Sequence, residues 1–309
     1  MADVLSSPAR PGAIRVPVAG WWPVDKLITG YLAASGVLIT ACFSRVPGSL
    51  WLLAIHAAAI ALVAAAVRAD LKPDSAPGKL QDLFRHWYPL FYVAACYKEM
   101  AILIPAIRGT DFDAEVARLD YALWGAHPTV WLERLYSPWL TELLQVAYTL
   151  FVPCVLLIAA LLWIGRRRAD FRYYAFVVSL GFLASYVGYF IVPVRGPRFC
   201  LAHLQHVNLS GLWLFDAMQH ALDRLESAHY DCFPSGHTEL TLIAWWGSRR
   251  ISMKLFAVYS VYSLLIILAT IYLRYHYTID VFAGAALAAV ILAAAPGAYR
   301  AALGRKQAG

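Results

Sequence analysis

Two histidines and an aspartate have types and spacings that suit nucleophilic chemistry. His276 precedes Asp280 by four residues in RYHYTID, so on a helix the two side chains share a face. A carboxylate that accepts from one imidazole nitrogen leaves a lone pair on the other, which is then a nucleophile. His237, which ends the segment FPSGH, is a candidate proton donor to a leaving oxygen. The alternative interpretation is that these residues only cap helices at a water interface.

The residues around these histidines predict an anion site. Ser235 and Gly236 are typical of a helix start, where free backbone N–H groups point at an anion. Three arginines, whose guanidinium groups match phosphate oxygens, lie in or beside the same segments: Arg195, Arg198 and Arg274. For Arg274 the alternative is an interfacial anchor. We see no further carboxylate cluster at ligand spacing and expect neither a metal nor a cofactor. The combination predicts phosphoryl transfer through a phosphohistidine.

The elements that must position these residues are apolar helices. Of the 309 residues, 61% are hydrophobic and 15% are charged, whereas soluble domains carry about 25% charged residues. This composition excludes an ordinary soluble enzyme and a disordered chain. A spanning helix needs about 20 mostly apolar residues. We therefore predict an all-α integral membrane protein with about eight transmembrane helices, over 27–43, 50–67, 88–107, 143–164, 173–193, 235–248, 255–273 and 277–295.

The basic residues between these helices predict an orientation. Alternate connections place 17 basic residues on one side and eight on the other. The positive-inside rule puts the richer side, with both termini, in the cytoplasm. The three polar clusters at 194–198, 233–237 and 274–280 then lie together on the outer side. The count of basic residues gave this result without using the possible catalytic role of these clusters. The excess of basic residues in the cytoplasmic connections accounts for the net charge of +7. For that reason we expect no nucleic-acid partner.

The chain divides into three predicted parts. Residues 1–82 form a cytoplasmic segment and two additional transmembrane helices, 83–299 form the catalytic membrane domain, and 300–309 form a cytoplasmic tail. The outer loop 108–142 carries apolar residues at helical spacing and several tryptophans. It is predicted to form one or two helices lying on the outer surface. A soluble cap packed on the bundle is the alternative.

Four ionisable residues and two cysteines have open interpretations. Ionisable groups in or beside apolar runs are costly and often functional. They are predicted to form a head-group or acceptor pocket, or alternatively to serve helix pairing and capping: Lys98, Glu99, Glu142 and Glu239. Cys200 and Cys232 lie in one outer loop that faces an oxidising compartment. We predict a disulfide between them, with two free thiols as the alternative.

In these segments the chain resembles the type-2 phosphatidic acid phosphatase (PAP2) superfamily. That family has a Lys/Arg–Pro motif, then PSGH, then SR-x5-H-x3-D. Here PSGH is intact at 234–237 and H-x3-D at 276–280, in the family's order, over roughly 140–295. The resemblance implies a six-helix catalytic bundle. It also implies that His276 is the nucleophile, Asp280 its partner and His237 the acid for the leaving group.

Two positions depart from the family's pattern. Ile191 occupies the place, seven residues before Arg198, where the first motif usually has Lys, and Arg195 is a candidate substitute. Thr270 occupies the place of the usual Arg in the third motif. Arg274 follows one helical turn later, which keeps it on the same helix face. RYHYTID is closer to the inositol phosphorylceramide and sphingomyelin synthase branch, whereas PSGH and the chain length fit lipid phosphatases.

The predicted activity is hydrolysis of a lipid phosphomonoester or diphosphate at the outer leaflet of a plasma or inner membrane, without a metal. The expected substrate is a phospholipid or an isoprenoid or sphingolipid phosphate. Transfer of a phosphoryl head group to an alcohol would use the same residues and remains open. A non-catalytic lipid-binding or transport protein is the alternative from another class.

Overall fold

The computed structural model describes residues 20–225 and 229–303, and these residues fold into helices. Within these ranges the α-helices are α1 (Pro23–Ala41), α2 (Ser49–Arg68), α3 (Ala76–Ile107), α4 (Asp113–Trp124), α5 (Pro128–Trp131), α6 (Pro138–Thr149), α7 (Phe151–Ile164), α8 (Arg168–Ile191), α9 (Pro197–Cys200), α10 (Phe215–Leu225), α11 (Gly236–Arg249), α12 (Met253–Tyr272) and α13 (Thr278–Leu303). Short 3-10 helices cover Leu132–Leu135 and Ala202–Leu204. An isolated parallel bridge joins Val194 to Asp231.

Six of the described helices are long and apolar enough to cross a membrane: α1, α2, α3, α8, α12 and α13. The pair α6 and α7 passes the same test together, with a bend of 46° between them. Pro153, in the first turn of α7, has no N–H to donate to Thr149, which accounts for the bend. The segment predicted to span at 235–248 is α11, which has only 14 residues. The all-α prediction is confirmed, and the count of eight spans is not.

The segment 108–142 is helical, as predicted, and contains α4 and α5. Val116 and Ala117 of α4 are buried in a cluster with Val194, Leu201 and Tyr277. Helix α4 is therefore packed on the end of the bundle beside the polar clusters, in the manner of a cap.

Helix α8 is the central element of the bundle. It contacts α1, α3, α7, α11 and α13, and its residues are the most buried of any candidate span. Gly188 near its end faces Pro234, and a Cβ added at Gly188 would collide with the proline ring. The missing side chain thus lets the FPSGH turn lie directly on α8. The predicted segment before residue 20 and the tail after residue 303, with Arg10, Arg15, Arg305 and Lys306, lie outside the described residues.

Candidate active site

The three polar clusters meet in one cleft at one end of the helices. The cleft is partly open to solvent. Its walls are formed by Tyr148, Arg195, Arg198, Phe199, His229, Asp231, Cys232, His237, Tyr275 and His276. Both predicted catalytic histidines and two of the three predicted phosphate-binding arginines therefore lie together.

His276 lies in the turn between α12 and α13 rather than on a helix. The backbone N–H groups of Tyr275 and His276 both donate to the carbonyl of Thr270, at 2.9 Å each, which holds the turn against α12. The His276 Nδ1 lies 2.9 Å from the carbonyl oxygen of Cys232. Because a carbonyl can only accept, Nδ1 carries the proton and Nε2 keeps its lone pair. Nε2 is 3.5 Å from Nδ1 of His237.

Asp280 binds the backbone of the turn at His276 more closely than it binds the imidazole ring. Its Oδ2 is 3.6 Å from His276 Nδ1, farther than the Cys232 carbonyl that this nitrogen donates to. The same oxygen accepts from the backbone N–H of Tyr277 at 2.8 Å and from the thiol of Cys232 at 2.9 Å. Burial raises the pKa of the Cys232 thiol well above its usual value, so the sulfur stays protonated and donates. Asp280 thereby ties the two sides of the cleft together.

His237 is held by aromatic rings from the bend between α6 and α7. Its imidazole stacks on Tyr148, with centroids 4.3 Å apart and planes 23° apart, and lies 4.4 Å from the ring of Phe151. These two aromatics are on opposite sides of the break at Leu150. The bend thus supplies a rigid wall behind the candidate proton donor.

Ser235 and Gly236 do not line the cleft, in contrast to their predicted role in phosphate binding. The hydroxyl of Ser235 accepts from the backbone N–H of Thr238 at 3.3 Å and from its hydroxyl at 3.1 Å, so it caps α11. Gly236 is buried against the Tyr189 hydroxyl, where a Cβ would not fit. The helix start predicted from PSGH is present, but these two side-chain positions serve the helix.

The segment with Arg195 and Arg198 is fixed by an aspartate of α4. The backbone N–H groups of Arg195 and Gly196 donate to the Asp113 carboxylate at 2.7 and 2.9 Å. Gly196 has φ +104°, and a Cβ there would lie 3.0 Å from the Tyr275 carbonyl oxygen. Only glycine suits both the backbone angle and this close approach. The guanidinium group of Arg198 reaches Asp223 at 2.9 Å, so a phosphate entering the cleft would compete with that carboxylate.

Arg274, the third predicted phosphate ligand, does not line the cleft. Its backbone is left-handed, with φ 66°. Its guanidinium group pairs with Glu133 at 2.8 Å and donates to the Gln205 side chain at 3.2 Å and the Val207 carbonyl at 2.6 Å. The side chain is only 9% exposed. Arg274 therefore joins the end of α12 to the segment around Glu133 and to residues 205–207.

Glu99 and Lys98, predicted for a head-group pocket, are not among the residues that line the cleft. Glu99 accepts from Ser35 at 3.1 Å and lies 3.1 Å from Nε2 of His56. These contacts join α3 to α1 and α2 inside the bundle. Lys98 is exposed. The geometry favours the alternative interpretation of Glu99, a buried polar contact between helices.

Glu142 and Glu239 also make structural contacts outside the cleft. Glu142 accepts from the backbone N–H groups of four consecutive residues, 212–215, at 2.8 to 3.3 Å. It therefore fixes the segment that leads into α10. Glu239 accepts from the hydroxyl of Ser185 and joins α11 to α8.

The predicted disulfide between Cys200 and Cys232 is not formed, because both thiols are free. The Cys232 sulfur is directed at Asp280 and lies 3.4 Å from His276 Nδ1. Cys200 instead interacts with the hydroxyl of Tyr277. The arginine segment is held near His237 by the bonds of Asp113 and not by a covalent clamp.

Three aspartates that the sequence reasoning missed surround the cleft. Asp231 lines it and accepts from the Tyr97 hydroxyl at 2.6 Å, and burial raises the pKa of Asp231. Asp120 accepts from the Thr278 hydroxyl and from the backbone N–H of Ile279 at 3.0 Å, which anchors the start of α13. Asp113 and Asp120 are seven residues apart and share the buried face of α4. Their seven-residue spacing is the feature of the sequence that could have identified them as two carboxylates on one helix face.

A family model described as the PAP2 superfamily matches residues 114–294. The match covers more than half of the chain and begins inside α4, so it includes the cap as well as the residues of the cleft. It agrees with the resemblance in the three motifs and does not distinguish a branch. Neither a curated protein nor a solved structure matches the chain.

Proposed function

Since the chain belongs to the PAP2 superfamily, we propose that it is a membrane enzyme that cleaves phosphoryl groups from lipid phosphates through a phosphohistidine. The observation that carries this proposal is the environment of His276. Its Nδ1 proton is held by the Cys232 carbonyl, and Nε2 points into a cleft that also contains His237, Arg195 and Arg198. A nucleophile, a proton donor and two cations are the groups that phosphoryl transfer requires.

The proposed first step forms a bond from His276 Nε2 to phosphorus while the bond to the leaving oxygen breaks. Arg195 and Arg198 neutralise the phosphate oxygens. A bound anion also favours the protonated form of His237, which gives its proton to the leaving oxygen. The phosphorylated ring retains the Nδ1 proton and is cationic. Asp280, 3.6 Å from that nitrogen, stabilises this charge.

The proposed second step reverses these roles. His237, now neutral, accepts a proton from a water molecule whose oxygen attacks phosphorus, and the bond to Nε2 breaks. An alcohol in place of water would make the reaction a head-group transfer of the inositol phosphorylceramide or sphingomyelin synthase type. The resemblance of RYHYTID to that branch is the observation that favours this second candidate.

The proposed location of the reaction is the outer leaflet. The support is the excess of basic residues in the connections on the opposite side, 17 against eight. Both termini would then be cytoplasmic, and lipid phosphates would reach the cleft from the periplasmic or extracellular side.

The deciding experiment is an assay of the purified protein against lipid phosphates and diphosphates, with and without ceramide or diacylglycerol, in EDTA. Phosphate release supports the phosphatase, and a new phospholipid without release supports the transferase. His276→Ala should abolish turnover and an acid-labile phosphoprotein label, whereas His203→Ala, which changes an exposed histidine, should retain both. Turnover that survives in His276→Ala would refute the phosphohistidine, and complete loss in EDTA would refute a metal-independent reaction.

A further inference from the structure

Three potential metal ligands form a compact triangle behind the cleft. The Cys232 Sγ lies 3.4 Å from His276 Nδ1 and 2.9 Å from Asp280 Oδ2, and the last two atoms are 3.6 Å apart. All three side chains are buried, with exposures of 2%, 3% and 0%. Among the described residues, this set of cysteine, histidine and aspartate is the one with such spacing. Sulfur, imidazole nitrogen and carboxylate oxygen are the donors that zinc takes from proteins.

The dimensions of the triangle fit a tetrahedral cation. Zinc bonds of about 2.0 Å to nitrogen and oxygen and about 2.3 Å to sulfur place neighbouring ligand atoms about 3.3 to 3.5 Å apart. Two observed edges are within a few tenths of an ångström of these values. The Cys232–Asp280 edge opens by about half an ångström once the proton between the two atoms is replaced.

Two further features indicate that the triangle can take a cation. The second carboxylate oxygen of Asp280, Oδ1, is buried and has no hydrogen-bond partner among the described residues. A nearby cation would stabilise this unpaired carboxylate oxygen. Cys232 and His276 also line the cleft, which gives an entering ion a route and supplies water for a fourth ligand position.

We propose that Cys232, His276 and Asp280 form an inhibitory site for a thiophilic divalent cation, with Zn²⁺ as the probe ion. The inhibition rests on the proposed function, because it acts on the nucleophile. As the Zn–S bond forms, the thiol proton leaves to solvent. As the Zn–N bond forms at Nδ1, the ring proton moves from Nδ1 to Nε2. The imidazole remains neutral, but its free lone pair is consumed, and Nε2 can no longer attack phosphorus.

The test compares the full-length protein with Cys232→Ser and Cys200→Ser in buffered free Zn²⁺. Serine at 232 still donates a hydrogen bond to Asp280 but is a much poorer ligand for zinc. Cys200 belongs to the same outer loop and interacts with Tyr277 instead, so Cys200→Ser is the matched control. Each rate is compared with that variant's own rate without zinc.

Low micromolar Zn²⁺ should inhibit the wild type and Cys200→Ser, and EDTA should restore both. Loss of even an outer-shell partner costs about 10- to 100-fold in metal affinity, so loss of the sulfur ligand should raise the inhibitory zinc concentration at least tenfold. If Cys232→Ser and the wild type were equally sensitive to inhibition by Zn²⁺, the proposed metal site would be refuted. Equal inhibition by Mg²⁺ would also refute it, because it would indicate an effect on the phosphate substrate.

Cobalt binding tests the site without any enzymatic assay. Co²⁺ should bind the wild type and Cys200→Ser with the thiolate-to-cobalt absorption band of a tetrahedral site, and Cys232→Ser should lack that band. A band that persists in Cys232→Ser would place the metal on another cysteine and refute the assignment. An inactive protein that still shows the band would contradict the proposed function while leaving the metal site supported.

Discussion

The bond between Asp113 and the arginine segment offers a quantitative test of how the cleft is held. Asp113 is 5% exposed and uses both carboxylate oxygens to accept from consecutive backbone N–H groups, those of Arg195 and Gly196. In Asp113→Asn one of these oxygens becomes an NH₂ group, which cannot accept. One N–H then faces a donor, and the remaining bond loses its charge.

The expected loss follows from the strength of that bond. A hydrogen bond to a charged group contributes about 1.5–3 kcal/mol, and 1.36 kcal/mol corresponds to a factor of ten in rate. If the whole loss appears as displacement of Arg195 from bound phosphate, kcat/KM falls by about 10- to 150-fold. KM should rise, because Arg195 is proposed to contact the phosphate before and during the reaction.

The assay is steady-state phosphate release by the purified variant, with thermal unfolding of the same sample. Asp111→Asn is the matched control, because it removes the same charge from an exposed neighbour of Asp113. The control should keep wild-type kinetics. The reasoning is refuted if Asp113→Asn unfolds like the wild type and has the kcat/KM of the control, since the segment would then be held by other contacts.

Three further predictions concern groups that line the cleft and groups that support the fold. Arg274→Gln should destabilise the fold by about 1–3 kcal/mol, because the Glu133 carboxylate loses its charged partner and keeps the backbone N–H of His206. The substitution should raise KM less than Arg198→Gln does. Thermal unfolding and steady-state kinetics check this, and a larger rise in KM for Arg274→Gln would indicate that Arg274 contacts the substrate. Because burial raises the pKa of Asp231, its carboxyl holds a proton at low pH and becomes an anion as pH rises. KM for a phosphate substrate should therefore increase with pH above the ordinary aspartate range near 4, and a pH series should show a smaller increase for Asp231→Asn; identical profiles would contradict the role of this charge. Glu142→Gln should speed hydrogen exchange at residues 212–215, whose N–H groups donate to Glu142, and unchanged exchange there would contradict this role of Glu142.

Several of the residues that line the cleft were predictable from the sequence. PSGH and H-x3-D are local patterns of polar residues next to apolar helices, so their shared position at one end of the bundle follows from hydropathy and alternation along the chain. The cleft brings His237, His276, Arg195 and Arg198 together. Their catalytic roles remain proposals for the assays above.

The partners of these residues were not predictable in the same way. Spacing suggested that Asp280 orients His276, yet the closer acceptor is the carbonyl of Cys232, which is 44 residues away in sequence. Spacing also placed Arg274 on the same helix face as Thr270, but the chain leaves α12 with a left-handed backbone at Arg274, and the side chain contacts Glu133. A helical periodicity cannot describe a residue that lies beyond the end of its helix.

The sequence by itself determined the apolar helices, the residues that meet at one end of them and the superfamily, because each depends on composition or on short motifs. Only the tertiary structure decided which polar groups line the cleft and which support the fold. Buried carboxylate and guanidinium groups are generally hydrogen-bonded, and here their partners come from distant segments. Asp113, Glu142 and Arg274 bind other parts of the protein, whereas the two histidines and the two remaining arginines line the cleft.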